Sequence, residues 1–362
     1  MTITSTCSFD ARLCPDIAAG MSPRIDVITP HMKRRQTGVT TSFKAVVPLV
    51  AQQVALASYG TVSFDGIPHL DRRALVSLPN TPRIWHARRN NELIAGLAYK
   101  WLLRRRLNLV FTYAKQSPPS WITRFLMRRC AALIAVSPAA AERAGLPCTV
   151  IPHGINVATF TPASVSEKHD LRGHLGLPQG VTLLGCFGRL REDKGTGDLI
   201  DALAAVLPDH PQAHVVLIGA ALGKHDAFVQ AKLETLKTRG LLARIHLIPE
   251  VPATQIAAYY RALDLYVAPS WKEGFGLTVA EAMACALPVI ATKTGYAPEL
   301  IAASGQGQLV NPRDVGALGS ALASALSKPA GADQTARRSI VDQLSIEAES
   351  TAITKVYKDL LP

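Results

Sequence analysis

The sequence predicts an α/β protein made of two doubly wound parallel sheets that face each other across a cleft. Short β-branched runs alternate with longer amphipathic stretches along the chain, a pattern typical of βαβ units. The chain has 362 residues, more than the roughly 100–200 residues of a typical domain. A polar stretch near the middle divides the alternating pattern into two halves of similar size. Two Rossmann-like domains therefore fit the length and the pattern.

Ten short apolar runs are predicted strands, five in each half. In the first half they are Ile25–Thr29, Arg83–His86, Leu107–Thr112, Ala132–Val136 and Cys148–Pro152. In the second half they are Thr182–Gly188, His214–Gly219, Ile245–Ile248, Leu265–Ala268 and Pro288–Ala291. The stretches between them have helical periodicity, for example Asn91–Arg104, Ser120–Arg129, Thr196–Leu207, Asp226–Arg239, Pro252–Ala262 and Thr278–Ala286. In such sheets, ligands bind at the carboxyl ends of the strands.

The domain boundary is predicted in the polar stretch Phe160–Gly180. We expect a first domain over residues 21–165 and a second over residues 166–344. A final helix, about residues 345–362, is expected to cross back onto the first domain. Residues 1–20 are polar and irregular, which predicts either a disordered extension or a true start at Met21.

The excess of positive over negative charge lies in the first half of the chain. The formal net charge is +12, yet residues 1–165 contain 20 Lys/Arg and 7 Asp/Glu. This asymmetry indicates an anionic partner for the first domain, such as a membrane surface, a phosphorylated glycolipid or a nucleic acid. A basic surface that only keeps the protein in solution is the simpler alternative. No apolar stretch is long enough to span a bilayer.

Motifs for metal, thiol and hydrolase chemistry are missing from the sequence. The six cysteines are scattered without a CxxC pair, which argues against a disulfide framework and favours a reducing compartment. There is no Asp-x-Asp, GxSxG, HExxH or GxxxxGK[ST] motif. We therefore expect no metal site, and any anionic ligand would have to be bound by cations of the protein.

Two loops in the second half carry the residues best suited to a diphosphate and to hydroxyl-rich groups. Gly188 and Arg189 directly follow a buried strand, and Lys194 lies beside the next helix, which suits a diphosphate. Alone, this loop would be read as ordinary surface charge. Further on, Glu273 precedes a glycine-rich turn, and Glu281 lies on the following helix within an apolar stretch. A carboxylate in such surroundings needs a partner.

Three sites in the first half are weaker candidates. Gly38 follows the first strand and three basic residues, so it could form a second phosphate-facing loop or a plain surface loop. His86, Arg88 and Asn90 lie in the polar segment IWHARRNNE at a strand end, which is typical of a binding edge. His153 follows a strand at the domain junction, although a lone histidine is more often structural.

Together these motifs closely resemble the family 4 retaining glycosyltransferases of the GT-B fold. The resemblance rests on GR-x4-K, on PHG and on E-x7-E within EGFGLTVAEAMACALPVIAT, with Ala297–Leu300 and Leu309–Asp314 in the same pattern. It runs from about Ile25 to the C-terminus and is most specific over residues 130–315. The segments WHARRNNE and KRRQTGVTT resemble a narrower bacterial group, the mannosyltransferases of the lipopolysaccharide inner core.

The resemblance implies a role for each site residue. Arg189 and Lys194 would bind the donor diphosphate, Glu281 the ribose hydroxyls and Glu273 the donor sugar. The remaining donor contacts would come from Gly188, Gly38, the amides of Gly274, Phe275, Gly276 and Leu277, and the backbone near Val251, where the base would lie. Many relatives also carry a histidine shortly after the strand LVFT, where this chain has Tyr113-Ala114-Lys115. His86 is the candidate substitute, which would make it catalytic together with Glu273, Arg189 and Lys194.

The implied activity is transfer of a hexose, with mannose from GDP-mannose expected, to an anionic glycolipid of the lipopolysaccharide core. The protein would act without a metal cofactor, without nucleic acid, in the cytoplasm at the inner face of the bacterial inner membrane. Trp101–Arg106 and Trp121–Arg129 combine apolar and basic residues, so they suit an anionic membrane surface or, alternatively, pack in the core.

Three other interpretations remain open at this point. A nucleotide-sugar 2-epimerase of the non-hydrolysing kind has the same fold and also closes on a sugar diphosphate. A nicotinamide-dependent dehydrogenase would need a glycine fingerprint that the chain lacks. A basic nucleic-acid-binding protein would be expected to contain a recognisable module, and the sequence shows none.

Overall fold

The computed structural model describes residues 24–32, 38–115, 117–221, 223–328 and 334–362, and these form two parallel sheets. The expected extension, residues 1–20, and the basic residues 33–37 lie outside the described residues. The first sheet contains β1 (Val27–His31), β2 (Leu56–Gly60), β3 (His69–Leu70), β4 (Arg83–Ala87), β5 (Leu107–Tyr113), β6 (Ala132–Ala135) and β7 (Thr149–Val150). Its strand order is β3-β2-β1-β4-β5-β6-β7, and every pair is parallel.

Except between β2 and β3, helices connect the strands of the first sheet, as is usual for parallel pairing. They are α1 (Gly38–Ala51), α2 (Arg72–Ser77), α3 (Asn90–Trp101), α4 (Trp121–Met127) and α5 (Pro138–Ala144). Side-chain caps fix several of their starts: Ser120 accepts a hydrogen bond from the amide of Thr123, and Ser137 accepts one from Ala140. These caps set where α4 and α5 begin relative to the strand ends.

The second sheet is built in the same way. Its strands are β8 (Thr182–Phe187), β9 (Ala213–Ile218), β10 (Ile245–Ile248), β11 (Leu265–Ala268), β12 (Val289–Thr292) and β13 (Gln308–Val310), in the parallel order β10-β9-β8-β11-β12-β13. The helices are α6 (Val165–His174), α7 (Thr196–Val206), α8 (Lys224–Thr238), α9 (Ile256–Ala262), α10 (Leu277–Ala284), α11 (Ala297–Ser304), α12 (Val315–Ser327) and α13 (Gln334–Leu344). The predicted fold class, two doubly wound sheets, is confirmed.

The chain crosses between the two sheets twice, and the two crossings pair with each other. On the outward crossing, Ile155 donates its N–H to the carbonyl of Leu344 at 2.7 Å; on the return, Ile346 donates to Ile155 at 3.2 Å. The last helix, α14 (Ile346–Leu360), packs against α1 of the first sheet. Its buried residues Ile353 and Tyr357 share a core cluster with Phe43. The C-terminus thus contributes to the first domain's core.

Each sheet has one switch point, between β1 and β4 in the first sheet and between β8 and β11 in the second. Strand order reverses there, so the neighbouring loops diverge and leave a crevice at the carboxyl edge. The two domains meet near these edges: a Cβ placed on Gly274, after β11, would lie 2.4 Å from the carbonyl oxygen of Ala114, after β5. Among the described residues, no helix has the length and apolar character that a bilayer crossing requires.

Candidate active site

The loop after β8 exposes its backbone at the second switch point. Gly188 has φ 132°, and a Cβ there would meet no atom within 4 Å, so the backbone is open to an approaching ligand. Gly219, at the end of β9, packs so tightly under it that a Cβ would lie 1.9 Å from the Gly188 oxygen. Arg189 follows with an exposed side chain. This loop therefore places a cation at the crevice, as the sequence predicted.

Lys194 and Glu273 form an ion pair across the switch point. Lys194 ends a short 3-10 turn, and the next residue, Gly195, packs against β11's end, where a Cβ would lie 2.0 Å from the Pro269 oxygen. The ammonium donates to Glu273 Oε1, which also accepts a hydrogen bond of 2.8 Å from Ser270 Oγ. Both charged side chains keep a fifth to a quarter of their surface exposed, so the pair remains accessible to a ligand.

The glycine-rich turn after Glu273 is held against the first domain and starts α10. Gly276 has φ 96° and directly precedes the first residue of the helix, Leu277. The Phe275 ring stacks on Tyr296 with centroids 5.1 Å apart, and the Tyr296 amide donates to the Phe275 carbonyl at 2.7 Å. With Gly274 against Ala114, this turn, residues 274–277, is called the donor loop below. Its fixed backbone directs the first amides of α10 toward the crevice.

Glu281 lies one turn into α10 and has the partner that its apolar surroundings demand. The Tyr260 hydroxyl, on α9, donates to Glu281 Oε2 at 2.9 Å. Burial raises the pKa of Glu281 to about 7, and the hydrogen bond from Tyr260 opposes that shift. The group therefore exchanges its proton near neutral pH. Tyr260 escaped sequence reasoning because its stretch, AAYYRA, looks like an ordinary helix face.

Val251 and Gly38 lie at the carboxyl edges of their sheets. Val251 follows β10 and is partly buried against the core. Gly38 is the first residue of α1, the helix that follows β1 at the first switch point. The three basic residues before Gly38 fall outside the described part of the chain. Both positions are compatible with a ligand in the crevice, and their roles in binding stay predictions.

His86 is not at the crevice, which contradicts its predicted catalytic role. It is fully buried on β4. One ring nitrogen contacts the Tyr357 hydroxyl on α14, and Nε2 lies 2.7 Å from Thr112 Oγ1 on β5. Burial, with the nearby Arg88 charge, holds the pKa of His86 well below its usual value, so the ring is neutral. A strand alternates its faces, and this residue points into the α14 side of the sheet.

Arg88 and Asn90 are also drawn into the first domain's interior. The Arg88 guanidinium donates to Thr29 Oγ1 at 2.9 Å and lies 4.9 Å from the Phe43 ring centroid. The Asn90 amide nitrogen donates to Thr123 Oγ1 on α4 at 2.8 Å. Its buried Oδ1 has no hydrogen-bond partner among the described residues. Among the buried side-chain atoms of this segment that the structure describes, only that oxygen lacks a hydrogen-bond partner.

His153 lies between three elements at the junction of the domains. Its Nδ1 is 3.1 Å from Ser42 Oγ on α1 and 3.1 Å from Glu349 Oε1 on α14. Its ring meets the Phe275 ring edge to face, with centroids 5.4 Å apart. Sequence reasoning missed Ser42 and Glu349, which are 111 and 196 positions away and carry no local signal. In the described residues, no group of three metal-binding side chains was found anywhere.

Comparison with known proteins places this architecture in a family. The family model described as glycosyl transferases group 1 matches residues 167–341. The chain is 38% identical over 346 residues to the lipopolysaccharide core biosynthesis mannosyltransferase LpcC of Rhizobium leguminosarum bv. viciae, covering 93% of this chain and 97% of that one. It is 37% identical to LpsB of Rhizobium meliloti, which carries the same description, over 93% and 98% of the two chains.

Solved structures agree on the fold. Anabaena Alr3699/HepE, crystallised with UDP and glucose, superposes with a TM-score of 0.78 at 21% identity, covering 93% of this chain and all of that one. The resemblance that the motifs indicated is therefore confirmed, together with the GT-B fold. The chain belongs to the glycosyl transferases group 1 family, and it is a glycosyltransferase.

Proposed function

We propose that the protein transfers mannose from GDP-mannose to an anionic glycolipid of the lipopolysaccharide core, with retention of anomeric configuration. The observation that carries the proposal is the Lys194–Glu273 pair at the second switch point, beside Arg189 and the donor loop. The two relatives named as lipopolysaccharide core mannosyltransferases align over both domains, which supports the same acceptor class.

The chemistry follows from where the charges lie. When the bond between sugar and diphosphate breaks, positive charge develops on the sugar ring and negative charge on the leaving phosphate. Arg189, Lys194 and the first amides of α10 are arranged to stabilise that leaving group, normally the largest catalytic contribution. The diphosphate replaces Glu273 as the partner of Lys194, and the released Glu273 binds sugar hydroxyls. The leaving phosphate takes the acceptor's proton on the same face.

The remaining donor contacts position the nucleotide. Glu281 accepts hydrogen bonds from the ribose hydroxyls in its ionised form, and the base lies against the backbone near Val251. Gly38 approaches the diphosphate from the first domain. In this proposal the protein's own cations balance the diphosphate, so transfer does not require a metal ion. A chelator should leave the rate unchanged, and a strict requirement for Mg²⁺ or Mn²⁺ would contradict this part.

An exposed apolar surface on the first domain indicates where the acceptor's membrane lies. The α3–α4 face consists of Trp101, Leu102, Trp121, Ile122 and Phe125. Leu102 and Trp121 are 81% and 79% exposed, so the alternative that these residues are core is wrong. The Arg129 guanidinium lies 3.5 Å from the Phe125 ring centroid and 5.8 Å from that of Trp101, and so joins the two helices.

Charge and topology make this face suitable for an anionic bilayer. Five arginines adjoin its residues along the chain, which are Arg104, Arg106, Arg124, Arg128 and Arg129, whereas Arg105 donates to the Leu78 carbonyl at 2.8 Å. Each basic residue near an anionic surface contributes about 1 kcal/mol. Because α4 follows β5, its first residues lie on the carboxyl side of the sheet, where the crevice opens. Docking by this face on the cytoplasmic leaflet would bring a glycolipid head group to the donor.

The donor is tested with GDP-mannose, UDP-glucose, UDP-galactose and UDP-N-acetylglucosamine. We expect GDP-mannose alone to raise the melting temperature and to release GDP only when deacylated core glycolipid is present, because a ligand stabilises the state that binds it. Stabilisation by a UDP sugar with acceptor-dependent UDP release would support a glycosyltransferase that uses this sugar nucleotide instead of GDP-mannose. Interconversion of the donor without transfer would favour the epimerase instead.

Membrane docking is tested with vesicles of phosphatidylglycerol and phosphatidylethanolamine. We expect binding that weakens as salt rises and that Trp121→Ala reduces about tenfold. The matched control is Val165→Ala, which removes an equally exposed apolar side chain, 89% exposed, from α6 of the second domain. Equal loss in both variants, or binding that ignores salt, would contradict docking by the α3–α4 face.

A further inference from the structure

The junction between the domains contains a buried carboxylate that the transfer chemistry does not use. Glu349, on α14, is 7% exposed, and its partners lie on the outward crossing and on α1. Oε2 accepts the amide of Gly154 at 2.6 Å, and Oε1 lies 3.1 Å from His153 Nδ1. The Ser42 hydroxyl on α1 is 3.5 Å from both oxygens. A carboxylate so far from water is stable only while these donors stay in place.

The backbone around Gly154 allows nothing else at this position. A Cβ on Gly154 would lie 2.6 Å from the Ile346 Cα, so the outward crossing and the start of α14 are in direct contact. Glu349 therefore holds the two crossings together at their closest point. With a carboxylate as its neighbour, His153 Nδ1 carries the proton, and this fixes the orientation of the imidazole ring.

The ring of His153 links the Glu349 cluster to the donor loop. His153 meets the Phe275 ring edge to face at 5.4 Å, and Phe275 in turn stacks on Tyr296. Phe275 is 5% exposed and lies between the two glycines of the donor loop. Glycines on either side restrict the backbone dihedral angles little, so the packing of this ring, together with the contact of Gly274 with Ala114 and the hydrogen bond from the Tyr296 amide, decides where the loop's amides point.

We propose that Glu349 and His153 are positioning residues: through the Phe275 ring they hold the donor loop in its binding conformation. The inference depends on the proposed function only in that the donor loop binds the sugar nucleotide. Neither residue needs to touch the donor. Glu349 acts on His153, His153 on Phe275, and Phe275 on the amides at the start of α10.

The test uses the full-length chain with Glu349→Gln, a change that keeps the shape and removes the charge. A glutamine amide has one acceptor oxygen in place of two, so it cannot accept from both Gly154 and His153. Hydrogen exchange of the amides over residues 271–279 is measured in the ligand-free protein. We expect exchange to become about tenfold faster there. The Michaelis constant for GDP-mannose should rise about tenfold, with kcat within about threefold.

Two controls separate positioning from general loss of stability. Glu347→Gln removes an exposed carboxylate from the same turn of α14 and should leave both readouts unchanged. Ile353→Ala weakens the packing of α14 on α1 without touching Glu349, so it should lower the melting temperature while donor-loop exchange stays normal. If Ile353→Ala loosens the loop as much as Glu349→Gln does, the role of Glu349 is merely structural.

A double-mutant cycle tests the pathway through the ring. Phe275→Leu and Glu349→Gln should each raise the Michaelis constant, and the double variant should be no worse than the more damaged single variant. Effects that multiply would contradict the proposal. Failure of the proposed function looks different: if GDP-mannose never binds but Glu349→Gln still accelerates exchange in the donor loop, the positioning inference stands and the donor assignment falls. Unchanged exchange in Glu349→Gln overturns the inference.

Discussion

The two switch points of this enzyme use their polar residues in opposite ways. At the second, Lys194 and Glu273 pair with each other, and part of each side chain is exposed to the crevice. At the first, His86 is fully buried and Arg88 bonds to Thr29 on the neighbouring strand. Both segments look alike in sequence, each a polar run after a buried strand. One run is open to the crevice, where we propose that the donor binds, and the other builds the domain's interior.

The difference comes from the partner that each run meets. After β8 and β11 the loops meet glycines, whose missing side chains leave the crevice open; Gly188 has no atom near its Cβ position. After β4 the run meets the returning helix α14, whose Tyr357 contacts His86. Because α14 lies at the C-terminal end of the chain, the sequence around His86 does not predict its contact with Tyr357. A polar segment at a strand end can therefore bind a ligand only where no element from a distant part of the chain covers it.

The largest effect is expected at the open switch point. Lys194→Ala should lower kcat by about 100-fold, because removing one preformed charge-stabilising group from a transition state typically costs this much. Turnover is measured as GDP release with saturating acceptor. The control is Lys232→Ala, which removes a lysine from a similar ion pair, with Asp201 on the surface of the same domain. Near-normal turnover in Lys194→Ala would remove this residue from the site.

Sequence reasoning placed the second domain well and the first less well, for physical reasons. The missed strands β2, β3 and β13 are short or lack a β-branched run, so their pairing depends on neighbours rather than on propensity. The helix α1 contains Pro48, which normally ends a helix, and the core packing of Phe43 and Val47 overrides that preference. The predicted ranges of β10 and β11 agree with the structure, although β11 is a buried strand inside the sheet and β10 is a half-exposed strand at its edge.

The difference between local motifs and distant contacts also explains which site residues could be predicted from the sequence. Motifs after β8 and β11 are local, so glycine, lysine and glutamate spacing could be read from the chain. Tyr260, Ser270 and Glu349 complete the site through contacts that folding creates, and only Ser270 lies close in sequence to its partner, Glu273. His86 was misjudged because a strand's two faces cannot be assigned until the element that covers them is known.

Removing the carboxylate of Glu281 should have the second largest effect. Glu281→Gln is expected to raise the Michaelis constant for GDP-mannose about tenfold at pH 8, since a charged acceptor is lost from the ribose hydroxyls. Because the pKa of Glu281 is about 7, wild-type donor affinity should fall as pH drops below 7. In Glu281→Gln that fall should disappear. Identical pH profiles for the two proteins would contradict the ribose assignment.

In Glu281→Gln the free energy of unfolding should increase, although donor binding becomes weaker. The folded pKa, about 7, lies above the ordinary value of 4.5, so the folded protein binds the proton more tightly than the unfolded chain. The free energy of unfolding therefore decreases as pH rises from 4.5 to 7 and stays low above it. Glu281→Gln should unfold about 1–3 kcal/mol less readily than wild type at pH 8, and the gain should vanish near pH 4.5. Equal gains at both pH values would show that burial of charge is not the cause.

The arginines beside the α3–α4 face should affect the transfer rate only when the acceptor is embedded in a membrane. At physiological salt, Arg128→Gln with Arg124→Gln is expected to lower the rate about fivefold on anionic vesicles that carry the glycolipid, since each charge contributes at most about 1 kcal/mol and salt screens part of that contribution. With deacylated, soluble acceptor the rate should be unchanged. Arg239→Gln, in the second domain, is the control. An equal loss on the soluble acceptor would place these arginines in the acceptor site instead of on the membrane.

The smallest catalytic effect is expected at the first switch point, which α14 covers. A variant of His86 there tests most directly whether the two switch points differ in function. His86→Asn should leave kcat and the Michaelis constants within about twofold of wild type, because the ring lies in the core and not at the crevice. It should lower the free energy of unfolding by about 1–3 kcal/mol, since Thr112 or Tyr357 loses its buried partner.

Acid unfolding separates this structural role from a catalytic one. Because burial holds the pKa of His86 well below 6.5, the unfolded chain binds the proton first, and wild-type stability falls as pH drops below 6.5. His86→Asn removes that contribution, so the stability gap between the two proteins should narrow as the solution becomes more acidic. Thr112→Val, which removes one partner and keeps the ring, should resemble His86→Asn at neutral pH and keep the acid dependence. A large loss of kcat in His86→Asn, with stability intact, would restore the histidine to the reaction and make the two switch points alike.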